Sequence, residues 1–127
     1  MLKMEQIAKD TERARKYFED RVAFTMGPVE LKKAINNKEN IVVVDVRKAE
    51  DYKNGHIPGA ISIPATEFED RINELSKDKV TILYCYTQQC HLAAKSALKL
   101  ASKGYPVIEL EGGMKTWQHE YGFEVQS

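Results

Sequence analysis

The chain has 127 residues, 43% of them apolar and 30% charged. That balance excludes disorder along the whole length and suits one domain that buries a core without disulfide staples. Nineteen Lys and Arg offset nineteen Asp and Glu, so no net basic field draws nucleic acid or an anionic membrane.

The opening stretch MLKMEQIAKDTERARKYFEDR has neither the apolar centre nor the small-residue cleavage site of a secretory leader. Residues 3–24 read as one helix, with Ile7, Thr11, Ala14, Phe18 and Val22 on one face and charge on the other. This segment, 1–26, is expected as a helical extension. Its stripe needs an apolar partner, either its own domain or a second copy in a homodimer. Gly27-Pro28 breaks the chain, and Pro28 starts a helix with Leu31, Ala34 and Ile35 inward. Residues 41–46, IVVVDV, form a continuous β-branched run, the mark of a strand buried on both faces of a parallel sheet. Residues 48–60 are polar and rich in turn formers, and a short strand follows at 61–63. Pro64 opens a helix carrying Phe68, Ile72 and Leu75.

The second strong strand is VTILYC, 80–85. The segment 91–103 is a helix, with Gly104 as its C′ residue. A strand at 107–110, a turn at 111–113 and a short helix at 114–121 complete the chain. Met114 and Trp117 are expected in the core. The alternation predicts a three-layer α/β domain over 27–127, its mainly parallel central sheet flanked by helices. The longest apolar stretch, around 41–46, falls far short of the ~20 residues that cross a bilayer. The expected compartment is cytoplasmic, where Cys85 and Cys90 stay thiols.

In such sheets, sites lie beyond the carboxyl ends of the strands. Cys85 ends a buried strand, and five residues later a helix begins. A loop that short must curl, turning its N–H groups and the positive end of the helix toward the Cys85 sulfur. That setting lowers a thiol pKa and seats an anion. No His, Asp or Glu lies within the loop as a local base.

Three segments carry a family resemblance: VVVDVRKAEDYKNGHIPGAISIP (42–64), ILYCYTQQCHLAAKSA (82–97) and GYPVIELEGGMKTW (104–117). In this order and spacing the chain resembles the rhodanese (sulfurtransferase) domain over about residues 28–121. The resemblance implies Cys85 as the nucleophile that takes sulfane sulfur as a persulfide. It implies Tyr86, Thr87, Gln88, Gln89, Cys90 and His91 as the substrate cradle. Asp45, Arg47, His56 and Glu111 match positions that brace the site, as do Gly112 and Gly113. A small anionic sulfur donor and a thiol or cyanide acceptor are expected as partners, with no metal and no organic cofactor.

The loop departs from the common family pattern. Many active members carry Gly in the loop and Arg or Lys beside the cysteine, and residues 86–90 supply neither. Weak thiosulfate binding is expected, and a thiol-borne or polysulfide donor is favoured. Related phosphatases close a loop one residue longer with an Arg where His91 stands, so a phosphate ester lacks its clamp here. His56 is expected to stabilise its turn, His91 to cap or pack beside the following helix, and His119 to lie on the surface. Cys90 reads either as a small buried residue or as a thiol that resolves a Cys85 persulfide. A thiol redox switch using Cys85 and Cys90, or a non-catalytic binding module, are the other functions this pattern admits.

Overall fold

Isolated β-branched runs gain most when both faces of the strand are covered. In the computed structural model, which describes residues 2–127, the chain does this with a five-stranded sheet. The strands are β1 (Thr25–Met26), β2 (Ile41–Asp45), β3 (Ile61–Ser62), β4 (Val80–Tyr84) and β5 (Val107–Leu110). Their spatial order is β1-β5-β4-β2-β3, and every pairing is parallel. The two apolar runs therefore lie at the centre, with Ile41 opposite Val80 and Asp45 opposite Tyr84.

Period-two alternation sends neighbouring residues to opposite faces. Val44, Leu83 and Cys85 join one core with Phe68, Ile72, Leu75, Ala93 and Leu100. Val43, Ile82 and Tyr84 join the other with Leu31, Ile57, Leu110, Met114 and Trp117. Helices cover both faces: α3 (Pro28–Asn36), α4 (Ala49–Asn54), α5 (Phe68–Arg71) and α6 (Leu92–Ser102), plus a π-helical stretch, Lys115–Glu120, while α1 (Leu2–Ala8) and α2 (Thr11–Ala23) precede them and, among the described residues, give none to either core. The α/β class and the parallel, helix-flanked sheet agree with the reading of the sequence. Met114 and Trp117 are buried as expected, and His119 is exposed.

Several local expectations need correction. The N-terminal helix is two helices, because the Asp10 side chain accepts the Arg13 N–H and starts α2 afresh. Its apolar stripe does not pack on the domain: Phe18 is 55% exposed and Val22 78%. The helix expected from Pro64 is one α turn between two 3₁₀ turns, Ala65–Glu67 and Ile72–Glu74. The tighter turns still deliver Phe68, Ile72 and Leu75 to the core. Within the polar 48–60 segment, α4 forms with Glu50 and Asp51 at its positive end. β1 is only two residues long, too short to leave a pattern in sequence.

Candidate active site

β2 and β4 stop side by side, and each releases a loop at the carboxyl edge of the sheet. The loop after β2 is held by charge. Arg47 directs Nε to both Asp45 carboxylate oxygens at 3.1 Å and Nη2 to Oδ2 at 2.8 Å and to Gly55 O at 2.7 Å. The Tyr84 hydroxyl donates to the same Oδ2 at 2.8 Å and accepts the Ile57 N–H at 3.1 Å. Asp45 is fully buried and Arg47 nearly so. Burial works against the guanidinium charge, but the hydrogen bonds and field of Asp45 outweigh it and raise the Arg47 pKa. Burial, and then Asp45, push the Tyr84 hydroxyl up, so it stays a donor. The Arg47 fork is thus turned inward on Asp45 and the Gly55 carbonyl.

The loop after β4 is held by backbone. Cys85 O accepts the Met114 N–H at 2.9 Å, and Tyr86 O accepts the Lys115 N–H at 3.0 Å. Gly113 presses directly on this segment with φ +61°: a Cβ there would stand 2.7 Å from Cys85 O and 2.9 Å from Thr87 N. Only glycine fits both the conformation and the space. Gln88 caps the neighbouring turn, its Oε1 accepting the Gly112 N–H at 2.6 Å. The Tyr86 hydroxyl donates to Asp51 and accepts the Lys48 N–H at 3.3 Å, with Arg47 5.7 Å from its ring centre. Tyr86 therefore ties the two loops together.

Cys85 is 2% exposed, and its thiol donates to Cys90 O at 3.4 Å. Cys90 is half-buried, its N–H bonded to Thr87 O at 3.1 Å. Thr87 is half-buried too, while Gln88, Gln89 and His91 are exposed. The loop does curl, yet the acidic cysteine is not the expected one. Burial, then the hydrogen bond to Cys90, push the Cys85 thiol up to about 12 against the pull of the Ala93 and Tyr86 N–H groups. Cys90 is also penalised by burial. The Cys85 thiol and the N–H groups of Leu92, Tyr86 and Thr87 overcome that penalty and lower its pKa. The pair thus gives up its first proton easily and its second with difficulty.

The other expected residues make the following contacts. The His56 ring stacks on Tyr52 at 3.8 Å, and its Nδ1 bonds Tyr52 O at 2.8 Å, which holds the turn as expected. Glu111 bonds Arg21 of α2 at 3.0 Å. His91 stands at the N-cap of α6 but makes no side-chain capping bond, since Leu92 and Ala93 give their N–H groups to the sulfurs. Three contributors escaped the sequence reading: Tyr84, Asp51 and Glu109. A tyrosine inside the buried run ILYC was the available sign that a polar partner is buried there. Burial and Glu111 raise the Glu109 carboxyl, with His91 opposing. Among the described residues, no three His, Cys, Asp or Glu stand together as a metal site, and no helix is long and apolar enough to cross a membrane.

A model of the Rhodanese-like domain family matches residues 27–120. Thiosulfate sulfurtransferase GlpE of Stutzerimonas stutzeri is 31% identical over 86 residues, covering 67% of this chain and 77% of that protein. The HTH-type transcriptional regulator Rv0324 of Mycobacterium tuberculosis is 40% identical over 78 residues, 61% of this chain but 34% of that protein. The crystal structure of the BH2092 protein from Bacillus halodurans superposes with a TM-score of 0.82 at 40% identity, covering 93% of this chain and 87% of that one. The chain spans 34–59% of the length of three of the curated relatives it matches.

Proposed function

The chain belongs to the rhodanese-like domain family, and we propose that it is a sulfurtransferase moving sulfane sulfur through a persulfide on Cys85. Relatives named for sulfur transfer support that general role. The observation that carries it is the placement of Cys85: at the carboxyl end of the central strand, under a loop that turns the Tyr86 and Ala93 N–H groups onto its sulfur.

Cys85 must lose its proton to react, and the loop holds no His, Asp or Glu as base. That proton passes to solvent, and the Tyr86 and Ala93 N–H groups favour the charge that remains on the sulfur. The Cys85 thiolate then attacks the outer sulfur of the donor. The donor S–S bond breaks, its electron pair leaves with the departing group, and Cys85 holds the sulfur as a persulfide. The N–H groups of Tyr86 and Ala93 steady the negative charge throughout. An acceptor thiolate, or cyanide in an assay, removes the outer sulfur and restores Cys85.

The donor we favour is a polysulfide or a thiol-borne persulfide. Residues 85–91 contain no Lys or Arg, and Arg47 is turned inward on Asp45. Two acidic residues, Glu109 and Glu111, neighbour His91 and the Gly112 turn. A dianion such as thiosulfate meets dipoles but no cation there. Intact mass spectrometry tests the reading. Polysulfide or glutathione persulfide should add about 32 Da, one sulfur atom, to Cys90→Ser, which retains Cys85, and nothing to Cys85→Ser. Equal labelling of Cys85→Ser would end it. Turnover with thiosulfate matching that of an arginine-bearing relative would overturn the donor assignment.

A further inference from the structure

Cys90 has a second property that follows from its position. The loop folds back on itself: Gln88 and Gln89 point to solvent, while Cys90 returns toward Cys85. A turn from Thr87 O to the Cys90 N–H, 3.1 Å, closes that return. The Cys85 thiol reaches Cys90 O at 3.4 Å, and the ionisation of each thiol is tied to that of the other. The N–H groups of Leu92, Tyr86 and Thr87 aim at the Cys90 sulfur. Cys90 therefore stands beside Cys85 at the start of the helix. Cys85 is 2% exposed and Cys90 more open.

We infer that Cys90 resolves the Cys85 persulfide, so that the chain converts sulfane sulfur into hydrosulfide and a Cys85–Cys90 disulfide. This rests on the persulfide reading above. The Cys90 thiolate attacks the inner sulfur, the Sγ of Cys85. The bond to the outer sulfur breaks, and its electron pair leaves as HS⁻. Two cysteine sulfurs are oxidised to the disulfide and one sulfane sulfur is reduced to sulfide, so the step needs no added oxidant. An external dithiol then reduces the disulfide and restores both thiols.

Leaving-group chemistry selects the inner sulfur. Attack on the outer sulfur would instead pass the sulfane atom to Cys90 and expel the Cys85 thiolate. Burial disfavours that thiolate, whose pKa is held up to about 12, and a poor leaving thiolate slows exchange. Hydrosulfide is the weaker base and leaves more readily. The N–H groups that hold Cys90 as a thiolate keep the attacking atom charged and close.

The test uses the full chain, freed of reductant, and one equivalent of glutathione persulfide, followed by intact mass, peptide mapping and free sulfide. The tryptic peptide 80–95, between Lys79 and Lys95, contains both cysteines. Wild type is expected to lose about 2 Da within that peptide and release about one equivalent of sulfide, as the exchange stoichiometry requires. Cys90→Ser and Cys90→Ala are expected to keep a gain of about 32 Da without sulfide. A wild type that holds the added sulfur and releases no sulfide overturns the resolving step and leaves the persulfide reading intact. Labelling of Cys85→Ser but not Cys90→Ser reverses the roles and overturns both. Absence of any gain or loss in wild type and variants overturns the persulfide reading itself.

Discussion

The loops that follow β2 and β4 leave the sheet as neighbours, with Asp45 paired in register with Tyr84, yet they are held in opposite ways. The first spends its polar side chains on itself: Asp45, Arg47 and Tyr84 satisfy one another in the interior. The second is pinned by main-chain bonds to Met114 and Lys115 and by contact with a glycine. Its sulfurs are left to each other and to N–H groups. A rigid ionic frame beside a backbone-held loop places reactive atoms without using those atoms as struts.

The largest effect should come from breaking the ionic frame. Arg47→Met leaves the Asp45 carboxylate buried and unpaired, which should cost about 3–5 kcal/mol of stability in denaturant titration. A loss below about 1 kcal/mol would show that the first loop does not depend on the pair. Gly113→Ala strikes the other loop. Its positive φ should cost about 1–3 kcal/mol. Displacing Cys85–Thr87 backbone should slow persulfide formation by up to about 10²-fold. Stopped-flow kinetics beside a thermal melt would separate the two, and an unchanged rate would detach the glycine from the site.

The sulfur pair gives a pH signature. A lowered pKa means that the thiolate appears at lower pH. Limiting iodoacetamide should therefore mark Cys90 first, with a midpoint below that of an ordinary free thiol, and Cys85 only at the alkaline end. Cys85→Ala removes a donor to Cys90 and should move its midpoint upward. Fragment-ion mapping that finds Cys85 labelled first would invert the assignment. The smallest effect should be far from both loops. Phe18→Ser on α2 removes an exposed side chain and should change stability by less than about 0.5 kcal/mol. A larger loss would reveal a partner for the N-terminal helices.

The fold was legible because its signals are strong and local. The runs at 41–46 and 80–85 have the length and β-branching of strands covered on both faces, and both became central strands. The helix from Leu92 and its glycine stop at 104 were equally plain. The break at Asp10, the two-residue β1 and α4 were not. Each depends on one capping side chain or on a neighbour far along the chain. At the site, the cysteine at the strand end could be read from position and type. The ionisation order of Cys85 and Cys90 could not. It follows from which sulfur is deeper and which N–H groups reach it.

Sequence alone determined the class of fold, the strand that ends at Cys85, and the absence of a cation from the loop beside it. Those properties belong to periodicity, residue type and order, which exist before folding. Tertiary structure decided that the thiol first to ionise is Cys90 and that the guanidinium is turned inward on Asp45. It also decided that Gly113 must be glycine because the backbone of residues 85–87 lies against it. Each of these rests on burial and distance between atoms remote in the chain, and such distances come into being only when the sheet closes around them.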